Sequence, residues 1–96
     1  MSTLDVTSYV VTLHYQESGL GDLQSLTSAM VNSGFSTTLH DADGHPHELG
    51  TNSFGIVSTL APEAVSEQAA RIAEVALHQS PQTKVTTLQQ FLHNPA

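Results

Sequence analysis

With two fixed cations, Arg71 and Lys84, against nine acids in 96 residues, the chain carries a formal net charge of -7 when every His is neutral. It cannot assemble the basic face on which stable duplex binding depends, and so leaves a protein partner or a transient single-stranded RNA encounter. A hydrophobic fraction of 39% and no Cys fit one modest core without disulfides or thiolate chemistry.

A single domain spanning 1–96, ordered over about 7–93, is expected. No run approaches the ~20 apolar residues that cross a bilayer, and MSTLDVTSY lacks a basic, apolar leader, so a cytoplasmic protein with no membrane partner is expected.

Residues 7–15 alternate, with Tyr9, Val11, Leu13 and Tyr15 on one face and Val10, Thr12 and His14 on the other, which predicts a first strand whose second face is free of helices. Leu20, Leu23, Leu26 and Met30 then recur at helical spacing, predicting a helix over 18–33 that stops at Gly34. Phe35, Thr37 and Leu39 resume a period of two as a second strand. Asp41-Ala42-Asp43-Gly44 reads as a turn, after which Pro46 keeps its neighbours out of a central ladder.

A third strand follows at about Asn52 to Thr59, with Phe54, Ile56 and Ser58 on one face and Gly55 and Val57 on the other. Pro62 opens a helix over 62–79 with an inward stripe of Val65, Ala69, Ile72 and Ala76, closed by Pro81. Thr83 to Thr86 suit an edge strand. Thr87 and Gln90 form a capping box for a short last helix carrying Leu88, Phe91 and Leu92. The order is βαββαβ, which predicts an α+β, ferredoxin-like sandwich: a four-stranded antiparallel sheet in spatial order 4-1-3-2, helices on one face and a short extra C-terminal helix.

His40-Asp41-Ala42-Asp43-Gly44-His45-Pro46-His47-Glu48 is the densest polar segment. Turn chemistry accounts for its Asp and Gly residues, and the spacing matches neither a recognised zinc pattern nor an EF-hand. His45 and His47 meet one ion only if the bend at Pro46 aims both rings together. Gly19-Leu20-Gly21 lacks the context of a nucleotide-binding loop and serves as a helix entry. Arg71 has Glu67 and Glu74 at ion-pair spacing on a helix, and Lys84 suits protection of an edge strand.

Several of these segments also carry a family resemblance. Tyr9-Val10-Val11-Thr12-Leu13-His14-Tyr15, Met30 ahead of Phe35-Ser36, Asp43-Gly44-His45-Pro46, Leu49 followed by Asn52-Ser53-Phe54 and Ile56, and Leu60-Ala61 together make the chain resemble the GhoS endoribonuclease antitoxins of type V toxin-antitoxin systems. The resemblance implies a ferredoxin-like fold related in shape to the Cas2 nucleases, and sequence-selective cleavage of a toxin messenger RNA. His14 stands where the family pattern has an acid, and Ser25 and Thr27 stand where it has basic residues.

Two readings follow. In the first, a GhoS-like endoribonuclease cleaves single-stranded RNA by 2′-hydroxyl attack, with His14 and His40 as acid and base, Asp41 orienting an imidazole and Arg71 or Lys84 meeting phosphate. The sequence requires no cofactor and leaves a divalent metal open. In the second, the acidic domain is a non-catalytic regulator that binds a protein or forms a homodimer through a sheet edge or face.

Overall fold

The computed structural model describes residues 6–16 and 19–93, with the Leu20 side chain also outside the description; the expected helix start at Ser18 and the inward place of Leu20 lie outside the described residues. The elements run β1 (Thr7–His14), α1 (Leu20–Asn32), β2 (Thr38–His40), β3 (Pro46–Glu48), β4 (Ser53–Ser58), α2 (Pro62–Leu77), β5 (Gln82–Thr87) and α3 (Leu88–His93).

The alternation in β1 makes it the centre of the fold. Antiparallel partners flank it in the order β4-β1-β5, pairing Val11 with both Phe54 and Val85. Tyr9, Val11 and Leu13 point to α1 and α2 and pack with Leu26, Met30, Phe35, Phe54 and Val65 in the main core. Val65, Ala69, Ala73 and Leu77 are the buried residues of α2. The inward stripe therefore advances by four at each step, and the expected Ile72 and Ala76 lie half-buried at its side. Its small Ala residues let the helix approach the sheet, and Tyr9 donates its hydroxyl to the Leu60 carbonyl just before α2 at 2.8 Å.

Gly34 ends α1 as expected. Its φ of +100° turns the chain so that Gly34 N–H bonds Val31 O at 3.1 Å and Phe35 N–H bonds Met30 O at 3.0 Å, the paired bonds of a Schellman stop. Phe35 is thereby delivered straight into the main core.

The expected four-stranded sheet is not formed: three strands make one sheet, and β2 with β3 makes a second. The second strand meets β4 only at Ser36 and Gly55, which exchange backbone bonds of 2.8 and 2.7 Å. Immediately after, the Ser36 hydroxyl bonds Thr38 O at 2.9 Å, a local side-chain bond that competes with continuation of the ladder. Phe35 and Leu39, expected on one face, thus enter different clusters: Phe35 packs on the helical side, while Leu39 packs with Val10, Leu49 and Leu88 on the other.

Pro46 opens β3 opposite His40. It is excluded from the main sheet but admitted as the first residue of a short strand, a position that needs no ladder N–H. The second face of β1 is therefore partly covered. The β2-β3 hairpin and α3 lie over Val10, with Leu88 buried and Phe91 packed beside it. Gln90 N–H bonds Thr87 Oγ1 at 3.1 Å, and Gln90 Oε1 receives Thr87 N–H at 3.5 Å, so the capping box starts α3 where the sequence placed it.

Candidate functional site

Residues directly opposite one another in a sheet share a face. Opposite Thr12 lie Ser53 and Lys84, and opposite His14 lies Gln82. These side chains belong to the face away from α1 and α2, at the end that the hairpin and α3 leave open. His14 and Lys84 are diagonal neighbours there, on the order of 7–8 Å apart along the backbone. Both are exposed. Thr12 Oγ1 and Ser53 Oγ lie 3.1 Å apart beneath them. The strand residues of this face, Ser8, Val10, Thr12, His14, Ser53, Gly55, Val57, Gln82, Lys84 and Thr86, include no acid. In a chain of net charge -7, this is a strip that carries a cation and no strand carboxylate.

His40 and Asp41 lie elsewhere. They line an open groove of about 1000 Å³ with Thr7, Ser8, Leu88 and His93, beside the first residues of β1, whereas His14 is its last. A strand of this length spans roughly 20–25 Å. His14 and His40 therefore do not converge on one phosphate within a single chain.

Asp41 does orient an imidazole, but that of His47, whose Nε2 is 2.8 Å from Asp41 Oδ2. Sequence reasoning did not single out this partner. The hairpin register carries the signal, since Leu39 faces His47 across β2 and β3 and Asp41 follows Leu39 on the same side. Asp41 Oδ1 accepts the backbone N–H groups of Asp43 and His45, each at 2.9 Å. The His47 bond, followed by the His45 amide, holds the Asp41 carboxyl at about 2, below its ordinary 3.8.

Arg71 projects from α2 and bonds Glu67 at 2.5 Å, both side chains being largely exposed. It sits on the helical side, across the sheet from Lys84, so the two cations do not form one phosphate clamp. An exposed pair of this kind adds little stability.

The family described as Endoribonuclease GhoS matches residues 1–94. The chain belongs to the GhoS endoribonuclease family. It is 32% identical over 94 residues to the protein named Uncharacterized protein YdiZ of Escherichia coli strain K12, and equally to that of strain O157:H7, with 98% of this chain and 98% of each relative covered. The GhoS match runs beyond the segments that end at Ala61 and takes in α2, β5 and Lys84. No described helix is long and apolar enough to cross a membrane.

Proposed function

We propose that this GhoS-family chain is an endoribonuclease that cleaves single-stranded RNA, with a toxin messenger as its substrate. The observation that carries the reading is the family match over residues 1–94. Element order and the β4-β1-β5 core support a ferredoxin-like scaffold in which the second strand has peeled away to form the hairpin.

The open strip around His14 and Lys84 is the proposed place of reaction. RNA cleavage by its own ribose needs the 2′-hydroxyl proton removed as O2′ bonds to phosphorus, and a proton delivered to O5′ as the P–O5′ bond breaks. The products are a 2′,3′-cyclic phosphate and a 5′-hydroxyl. An imidazole is suited to such proton transfer near neutral pH: His14 takes the 2′-hydroxyl proton and solvent water gives a proton to O5′, while the Lys84 ammonium diagonal to His14 attracts the phosphate. Thr12 and Gln82 offer neutral hydrogen bonds on the same strip. An extended strand lying along β1 reaches His40 several nucleotides away, so His40 contacts RNA without sharing the reacting phosphate, and Asp41 acts on His47. Arg71, across the sheet, takes no part.

The low cation count of the strip favours a second reading, a regulator on the same scaffold that binds without cleaving. One experiment separates the two: purified protein is incubated with the messenger of a neighbouring small membrane toxin, in EDTA and in magnesium or manganese, and the RNA is resolved on a gel. Discrete fragments ending in cyclic phosphate support the endoribonuclease. Intact toxin messenger under every condition overturns it in favour of the regulator.

A further inference from the structure

The hairpin between β2 and β3 carries potential metal donors at every second residue: Asp41, Asp43, His45 and His47. Their placement in sequence alone is a solvated turn. In the folded chain the reversal at Gly44, whose φ is +82°, brings them back over one another. One ligand atom each from Asp41, Asp43 and His45 lies within 4.8 Å of the others. The Pro46 bend also meets the condition that the sequence set for a shared ion, because both rings converge on a single oxygen: His45 Nδ1 is 3.6 Å and His47 Nε2 2.8 Å from Asp41 Oδ2.

These separations identify the class of ion. Four donors about 2.1 Å from a tetrahedral Zn²⁺ lie roughly 3.4 Å from each other; the His45–Asp41 and His47–Asp41 separations fall on either side of that value, while the mutual grouping within 4.8 Å takes in Asp41, Asp43 and His45. Two imidazole nitrogens and two carboxylate oxygens form a ligand set suited to zinc and its neighbours in the first transition row, whereas magnesium prefers octahedral oxygen and retained water. Asp41 is already held by two backbone N–H bonds through Oδ1, which leaves Oδ2 turned to the rings. Asp43 and His45 are exposed, so they close on an ion by side-chain rotation without opening either hydrophobic cluster.

We propose that Asp41, Asp43, His45 and His47 form a binding site for one divalent transition ion of the zinc class, separate from the strip around His14 and Lys84. It fastens the tip of the hairpin, the element that covers Val10 and borders the His40 groove.

The site is tested with Zn²⁺ alone, titrated calorimetrically into EDTA-stripped and dialysed full-length protein. One ion per chain is expected, with a rise in Tm at saturating zinc because the ion binds only the folded hairpin. His45→Gln and Asp43→Asn should each weaken binding by about tenfold or more, since each removes one of four donors. Both residues are exposed, so the zinc-free Tm of these variants should match wild type. His78→Asn and His93→Gln, which change imidazoles outside the cluster, should leave the affinity unchanged. NMR of the imidazole nitrogens should show the His45 and His47 rings shifting on titration. The proposal is overturned if no stoichiometric binding is seen, or if zinc binds both donor variants as tightly as wild type.

Discussion

Leu39 occupies the space that Gly55 leaves by having no side chain: a methyl built on Gly55 comes within 2.5 Å of Leu39 Cδ1. Leu39 is 6% exposed and closes the second cluster over Val10, so it has little room to retreat. Gly55→Ala should cost roughly 1–3 kcal/mol through overpacking. Urea denaturation measures this, and adding Leu39→Ala should make the two losses less than additive, because the clash partner is gone. Additive losses would show that the contact is not the cause.

Phe54, on the opposite side of β4 from the hairpin contact, is 2% exposed within the main core. Its replacement by Ala should destabilise the chain by about 3–5 kcal/mol. A loss below about 1 kcal/mol in equilibrium unfolding would contradict its placement.

For the reaction strip, His14→Ala should reduce cleavage of the RNA substrate by about 10²-fold or more at an unchanged fold. Lys84→Gln should weaken RNA binding and make it less dependent on salt. His14→Asp tests the departure from the family pattern: if the site has lost metal chemistry, this variant gains cleavage in magnesium or manganese that EDTA removes. Equal cleavage by wild type and His14→Ala would remove His14 from the mechanism.

Asp41 gives a pH prediction. Its carboxyl titrates at about 2 in the folded chain against an ordinary value of 3.8. A depressed folded value means that the carboxylate stabilises the fold fully above the unfolded value, and that this contribution fades as pH falls from about 4 towards 2. Carboxyl carbon shifts followed by NMR in EDTA should show Asp41 titrating at about 2. Asp41→Asn should flatten the acid limb of the Tm profile, and an unchanged limb would refute the linkage.

The strict alternation of β1, the Gly34 stop, Pro62 at the start of α2 and the Thr87–Gln90 box were legible in the chain itself, because each depends on residues within one or two turns of one another. Those local rules also placed Phe54 in the core and offered Arg71 both Glu67 and Glu74 as partners, of which Glu67 is the one it bonds. The division into a three-stranded sheet and a hairpin was not legible. Phe35, Thr37 and Leu39 have a strand's period, and nothing local says that the Ser36 hydroxyl takes the Thr38 carbonyl or that Leu39 finds its space over Gly55, sixteen positions away.

The same distinction governs the sites. Composition decided that phosphate would find few cations, and residue type nominated His14, His40, Asp41, Arg71 and Lys84. Only pairing register could put His14 beside Lys84, send Arg71 to the other side of the sheet, and separate His14 from His40 by the length of β1. Likewise, four donors at alternate positions are a turn until the hairpin closes and brings His45 and His47 to Asp41. Side-chain period and capping are properties of the local chain, whereas convergence of functional groups depends on which strands pair and which face each one covers.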